Sequence, residues 1–345
     1  MNIIGGINNI RRKITRFFSN LFINESFSED VFDLNITQVK TILIARPNHR
    51  LGNNLLLTPL IKELSNIFPN AEIHIFTKGN LADVVFENYR EVVKLIKLPR
   101  KPFKNLLKYF LCWIPILKNR YDIAINGVNS SSSGKLAVKL TRAKYKFYNK
   151  INSNLSEFDD YSHHAKNTIH NLRYQVKNKI NRCDKKIYKL DIKLRDYEIQ
   201  NGKKLLKSMF LVDKPVISIF TFATGEKCYN KTWWKELYGK IKKLENKYNI
   251  LEILPAENVS QIDFIAKSYY SRNIREIASV MANSKVFLGA DSGMMHLAHS
   301  SNVTTIGLFS VTDPNLYGVY GGNNISINTN YKDADYIIRN LLERI

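Results

Sequence analysis

The chain has 345 residues, 44% of them hydrophobic, with 9 Pro and 15 Gly; this length suits two domains, and the composition excludes disordered and fibrous classes. Its three cysteines, Cys112, Cys183 and Cys228, form neither a CxxC pair nor a Cys/His ligand spacing, which points to a reducing compartment and away from structural zinc. The net charge of +22 is uneven, with 24 Lys+Arg against 10 Asp+Glu in residues 1–150; such a surface attracts nucleic acid, anionic headgroups or phosphorylated glycans.

In chain order, "NIIGGINNIRRKITRFFSNLF" (2–22) comes first, with no signal-peptide core or cleavage site. Ile3, Ile7, Ile10, Ile14, Phe17 and Leu21 recur at helical spacing around Arg11, Arg12, Lys13 and Arg16. The pattern predicts a basic amphipathic helix, lying either on a membrane surface or on the protein itself. Short β-branched runs follow: "TILIAR" (41–46), "EIHIFT" (72–77), "VVKLIKL" (92–98) and "DIAIN" (122–126). The segments between them are long enough for helices, so the alternation predicts βαβ units and a parallel sheet. One intervening stretch, "LLKYFLCWIPIL" (106–117), is apolar with basic flanks but too short to span a bilayer; it reads as either a buried helix or a membrane-facing one. A polar, helix-rich region (163–208) separates these strands from a second set, "VISIFTF" (216–222), "NILEILP" (249–255), "KVFLGAD" (285–291) and "TTIGLF" (304–309). Two such halves predict two Rossmann-like domains, with ligands at the carboxyl ends of the strands. The terminal "DADYIIRNLLERI" (333–345) predicts a helix that packs back on the first domain.

Each half offers one candidate site. In "RPNHRLGNNLLLTP" (46–59) a polar turn with Asn48, His49, Arg50, Asn53 and Asn54 follows the first strand and contains no carboxylate. Pro59 either kinks the next helix or restarts it with Thr58 as cap. In the second half, "GADSGMMHLAHSSNVTTIGLFSVTDPNLYGVYG" (289–321) ends a strand at Asp291, turns at Ser292–Gly293 and starts a helix near Met294, with His296 one turn on. Backbone N–H groups at that helix start suit a diphosphate.

This stretch resembles the signature of family 9 glycosyltransferases, the heptosyltransferases of lipopolysaccharide biosynthesis, through Asp291, Ser292, Gly293, Met295, His296, Leu297 and Ala298, then Phe309, Thr312, Asp313, Pro314 and Gly321. Residues 50–76, 121–148 and 225–234 resemble further parts of the family in the right order. The resemblance implies a GT-B type α/β fold, two Rossmann-like domains facing a central cleft: a basic extension (1–37), an acceptor domain (38–208), a nucleotide-sugar domain (209–330) and the C-terminal helix (331–345). It implies an inverting, metal-independent enzyme without a cofactor, taking a nucleotide-sugar such as an ADP-sugar and an anionic glycolipid acceptor at the inner, cytoplasmic face of the membrane. Lys231 matches the lysine that stabilises the departing diphosphate. Thr224 and Gly225 add donors there, Glu257 takes the ribose hydroxyls, and Asp291 orients the turn. Where the family carries a catalytic Asp, this chain has Asn53, whose amide cannot accept a proton at neutral pH. Three readings follow: His49 or a neighbour is the base, Asn53 orients a nucleophile deprotonated otherwise, or the chain is a non-catalytic nucleotide-sugar-binding paralogue. The charge alone supports nucleic-acid binding; no recognised module does.

Overall fold

The computed structural model describes residues 34–101, 106–148, 158–176 and 186–345. The amphipathic pattern of residues 2–22 lies outside them. Two compact units emerge, one from the residues up to His49 with Pro59–Tyr188, the other from Arg50–Thr58 with Lys189–Ile345.

The first unit is a five-stranded parallel sheet of β1 (Thr41–Ala45), β2 (Glu72–Lys78), β3 (Val92–Leu98), β4 (Arg120–Asn126) and β5 (Arg142–Phe147), in the order β3-β2-β1-β4-β5. β1 is central and its residues Ile42, Leu43, Ile44 and Ala45 are fully buried, as expected of a strand covered on both faces. Along the chain come helices α1 (Leu51–Leu55), which groups with the second unit, and then α2 (Thr58–Ile67), α3 (Leu81–Val85), α4 (Leu106–Leu111), α5 (Ile114–Lys118), α6 (Ser132–Leu140) and α7 (Asn167–Gln175). The Thr58 hydroxyl donates to the Leu55 carbonyl at 2.7 Å, so the chain ends α1 and restarts as α2. Pro59 falls in the first turn of α2, where its missing N–H costs nothing. α7 is tied to α2 by the forked pair of Arg173 with Glu63, at 2.6 and 2.9 Å. A sequence-level reading of β5 as a strand is lacking because its alternate residues Arg142 and Lys144 are charged and exposed, the pattern of a sheet edge.

The second unit carries β6 (Val216–Phe220), β7 (Asn249–Ile253), β8 (Lys267–Tyr269), β9 (Val286–Ala290), β10 (Thr304–Phe309) and β11 (Ile325–Asn328), all parallel, in the order β8-β7-β6-β9-β10-β11. From β6 the chain first winds one way through β7 and β8, then returns to the other side of β6. The reversal between β6 and β9 creates the crevice in which doubly wound sheets bind nucleotides. Its helices are α8 (Asp196–Met209), α9 (Lys231–Lys242), α10 (Ile274–Ala282), α11 (Gly293–Ser300), α12 (Pro314–Tyr317) and α13 (Ala334–Leu342).

Three boundaries differ from the sequence reading. α8 belongs to the second unit, not to the acceptor domain, because Arg275 of α10 grips Glu198 at 2.6 and 2.8 Å and also donates to the carbonyls of Ile192 and Lys193. α13 buries Ile337 and Leu341 in the same core as Ile306, Leu308 and Ile327, so it covers its own domain and not the first. Residues 50–58 are counted with the second unit although they follow β1.

Candidate active site

The reversal of strand order sets two strand ends side by side, since Phe220 of β6 is in register with Gly289 of β9. Beyond β6 the chain turns through Gly225, whose φ of +68° few other residues adopt, into a short 3-10 turn ending at Lys227. Beyond β9 it reaches Asp291 and then Ser292, whose hydroxyl caps α11 by accepting from the Met295 N–H at 3.3 Å. The loops meet where Lys227 Nζ contacts Asp291 Oδ2 at 2.9 Å. The Thr312 hydroxyl, from the loop after β10, donates to the same carboxylate oxygen. Asp291 thus orients the turn by holding loops from three strands together.

Lys231 is placed elsewhere. It opens α9 behind the Asn230 cap and pairs at 2.5 Å with Asp263, which Lys235 also contacts at 2.6 Å. These two lysines hold the Asp263 carboxyl down at about 2. With 57% of its side chain exposed against 26% for Lys227, Lys231 forms a surface pair, and Lys227 is the lysine at the strand end. A local signal existed: Asn230 followed by "KTWW" marks a helix start, which puts Lys231 in the first turn of α9 and leaves Lys227 in the turn before it.

His296 lies one turn into α11 and is 4% exposed. Burial, aided by the charge of Lys227 and opposed by Asp291, lowers its pKa to about 4, so the ring is neutral. Its Nδ1 has no hydrogen-bond partner among the described residues. On its other side the ring meets α1, since a β-carbon at Gly52 would stand 2.6 Å from His296 Cδ2. A β-carbon at Gly293 would likewise lie 3.2 Å from Leu51 Cβ and 3.4 Å from the Gly52 nitrogen. The two helix starts therefore touch through glycines, bringing the partial positive ends of both toward one place. Asn53, next to Gly52 on α1, is half-buried within this unit.

The remaining candidates spread out. Thr224 is exposed and precedes the Gly225 turn; Met294 is half-buried in the first turn of α11. Glu257 is exposed in the turn beyond β7, the neighbour of β6. The buried carboxylate nearby is Glu252, which accepts from Thr221 at 2.6 Å and from Ser260 at 2.8 and 2.9 Å; burial raises its pKa. It pins the β7–β8 loop to the end of β6. His49 belongs to the first unit, where its Cβ packs 3.5 Å from the position a β-carbon on Gly79 would take. That unit also gathers polar groups near its central strand ends: the Gly127 N–H donates to the Ala45 carbonyl at 3.0 Å, Asn171 donates to Asn129 at 3.1 Å, and Thr168 to the Asn126 carbonyl at 3.4 Å. Burial and Arg46 together lower the pKa of His164 there to about 4. Among the described residues no cluster of three His, Cys, Asp or Glu side chains is placed to hold a metal.

The family model "Glycosyltransferase family 9 (heptosyltransferase)" matches residues 113–340, more than half of the chain. The chain belongs to this family. Its fold is that of the solved family 9 glycosyltransferase from Veillonella parvula, with 17% identity, a TM-score of 0.67, and 90% of this chain and 91% of that one covered. It also matches the E. coli heptosyltransferase WaaC with ADP, at 15% identity and a TM-score of 0.63 over 88% of this chain and 100% of that one. E. coli ADP-heptose lps heptosyltransferase II matches at 13% identity, with a TM-score of 0.61 and 88% and 98% covered. No curated protein sequence matches the chain. This family 9 member is therefore a glycosyltransferase of GT-B fold, and the crevice between β6 and β9 is its candidate donor site.

Proposed function

We propose that this glycosyltransferase moves a sugar, a heptose or one similar, from an ADP-sugar to an anionic lipopolysaccharide-core or other cell-surface glycan, with inversion, without a metal, at the inner face of the cytoplasmic membrane. The observation that carries the donor half is the meeting of Lys227, Asp291 and the glycine-lined start of α11 at the reversal of strand order. The solved WaaC structures hold ADP and ADP-2-deoxy-2-fluoro heptose, which supports a donor of that class. The +14 balance of residues 1–150 supports an anionic acceptor.

In this reading the acceptor oxygen attacks the anomeric carbon from the face opposite the diphosphate. The new C–O bond forms as the bond to the phosphate oxygen breaks, and the electron pair leaves with the nucleoside diphosphate. Lys227 and the N–H groups of Gly293 and Met294 neutralise the charge that develops there, which preorganised donors do best in a dry site. Thr224 and Gly225 add donors, and Glu257 takes the ribose. His49 accepts the proton of the attacking hydroxyl, while Asn53 positions it. Membership of a glycosyltransferase family favours this enzyme over a binding-only paralogue.

The test is a nucleotide-sugar panel with membrane glycolipid extract, scored for nucleoside diphosphate release and for transfer, with and without EDTA. Transfer from an ADP-sugar that survives EDTA is the expected result. A rate lost to chelator and restored by magnesium overturns the metal-free step. His49→Ala should cost about 10²–10⁴ in turnover, and an undiminished rate moves the base to another residue.

A further inference from the structure

Helices α4 and α5 form a two-faced pair, nearly consecutive in the chain, on the first unit. Its inner face, Tyr109, Cys112, Trp113 and Ile116, joins the core around Phe76 and Ala124. Its outer face is Leu107, Phe110, Leu111, Ile114 and Leu117, between 38% and 75% exposed. These positions follow the spacing of one helical face through both helices. Five large apolar side chains exposed together are more than the scattered hydrophobes of an ordinary surface and mark an interaction site.

Charge indicates the partner. Lys108, Lys118 and Arg120 border the outer face, and Arg100 and Lys101 precede it in the sequence. α5 touches α6 and β5, which supply Lys139, Arg142 and Lys144 beside the exposed Leu140. Asp122 is the sole acidic residue between Glu91 and Glu157 in the sequence. Its carboxylate is occupied by the N–H groups of Lys40 and Thr41, at 2.8 and 2.9 Å. A second copy of this chain is disfavoured, because a two-fold contact would set this basic face against itself. An apolar ridge with cationic borders and no acids is instead the pattern of a surface that enters the acyl boundary while its lysines and arginines meet anionic headgroups.

We infer that the outer face of α4 and α5 is a membrane-docking surface that seats the acceptor unit on an anionic lipid bilayer. The inference rests on the proposed function only for the lipid-linked acceptor that such seating would present. It gives docking a locus inside the folded domain, separate from the amphipathic pattern of residues 2–22.

The test is co-sedimentation of the full chain with vesicles of phosphatidylcholine, alone or mixed with phosphatidylglycerol. The intact protein should bind the mixed vesicles and be released by raised salt, since exposed charges are screened. Phe110→Ser with Leu111→Ser, and separately Lys108→Glu with Lys118→Glu, should each lower partitioning by ~10-fold or more. Both pairs are exposed, so thermal unfolding and nucleoside diphosphate affinity should stay as in the intact chain. Unchanged partitioning of both variants overturns the proposal and leaves binding to the N-terminal segment. A lipid-free dimer that the Phe110→Ser, Leu111→Ser variant converts to monomer also overturns it, by making the face a self-association surface. Turnover of a detergent-dispersed acceptor, measured in parallel, should be retained by the variants. Its absence from the intact protein as well would count against glycosyl transfer while leaving the vesicle result standing.

Discussion

Two lysines four residues apart illustrate what individual side chains contribute. Lys227 is held at the end of β6 against Asp291, and Lys231 forms an exposed pair with Asp263. A hydrogen bond to a charged group contributes about 1.5–3 kcal/mol, whereas an exposed pair contributes roughly 0–1 kcal/mol. Lys227→Ala should therefore weaken nucleoside diphosphate binding by about 1.5–3 kcal/mol and Lys231→Ala by much less; calorimetry giving the reverse order would return the phosphate role to Lys231. The "GEKCYNKTWW" segment was legible in the sequence, whereas the pairing of Lys227 with Asp291 was not, because it depends on the left-handed backbone at Gly225 and the strand pairing behind it. His296 makes a second demand. Its folded pKa of about 4 lies below the ordinary 6.5, so the unfolded chain binds the proton more readily. The stability from keeping the ring neutral is complete above pH 6.5 and lost as pH falls toward 4, a change of roughly 3 kcal/mol for the full shift. His296→Gln should flatten that part of the pH dependence in urea unfolding. Equal slopes for the two would mean that the ring is not held neutral.

At the scale of elements, the contact between α1 and α11 decides how the donor crevice is shaped. Gly52→Val removes a helix-weakening glycine, a gain of less than about 1 kcal/mol. It also drives a branched side chain into the His296 ring, and overpacking of this kind costs about 1–3 kcal/mol before the second methyl group is counted. The clash prevails, so the variant should be destabilised by about 2 kcal/mol in chemical unfolding and should bind nucleoside diphosphate more weakly, because the start of α11 shifts with it. A variant as stable as the parent, with unchanged affinity, would show that α1 yields freely. Strands β1, β2, β3, β4, β6, β7, β9 and β10 were legible as runs rich in β-branched residues, most of them covered on both faces. Three of the four edge strands, β5, β8 and β11, were not: basic residues alternate along β5, and β8 and β11 are only 3 and 4 residues long. The packing of α8 and α13 was illegible for another reason: an amphipathic helix announces that it has a buried face without announcing which sheet or helix covers it. The two carboxylates of the Asp-x-Asp at 333–335 serve the helix surface, with Asp333 capping α13 and Asp335 meeting Lys240 at 2.7 Å.

For the whole molecule, each unit has its own sheet and core, so ligand and domain can be matched by a reporter. The chain has 3 tryptophans. Trp113 sits in the first unit, edge-on to Phe76 at 5.0 Å. Trp233 and Trp234 both lie on α9 in the second, with Trp234 fully buried. Trp113→Phe therefore leaves a protein whose indole fluorescence reports the second unit alone. A ligand that binds the folded form stabilises it by about 2.7 kcal/mol at a hundred times its dissociation constant. The unfolding transition of Trp113→Phe should thus move upward with added ADP, and Lys227→Ala placed in the same background should need proportionately more ADP for the same shift. Since the β6–β9 crevice, the 3-10 turn and the start of α11 all belong to that unit, an ADP response that is absent from these tryptophans would remove the donor from the second domain. A response that persists undiminished without Lys227 would keep the domain but move the diphosphate away from Asp291.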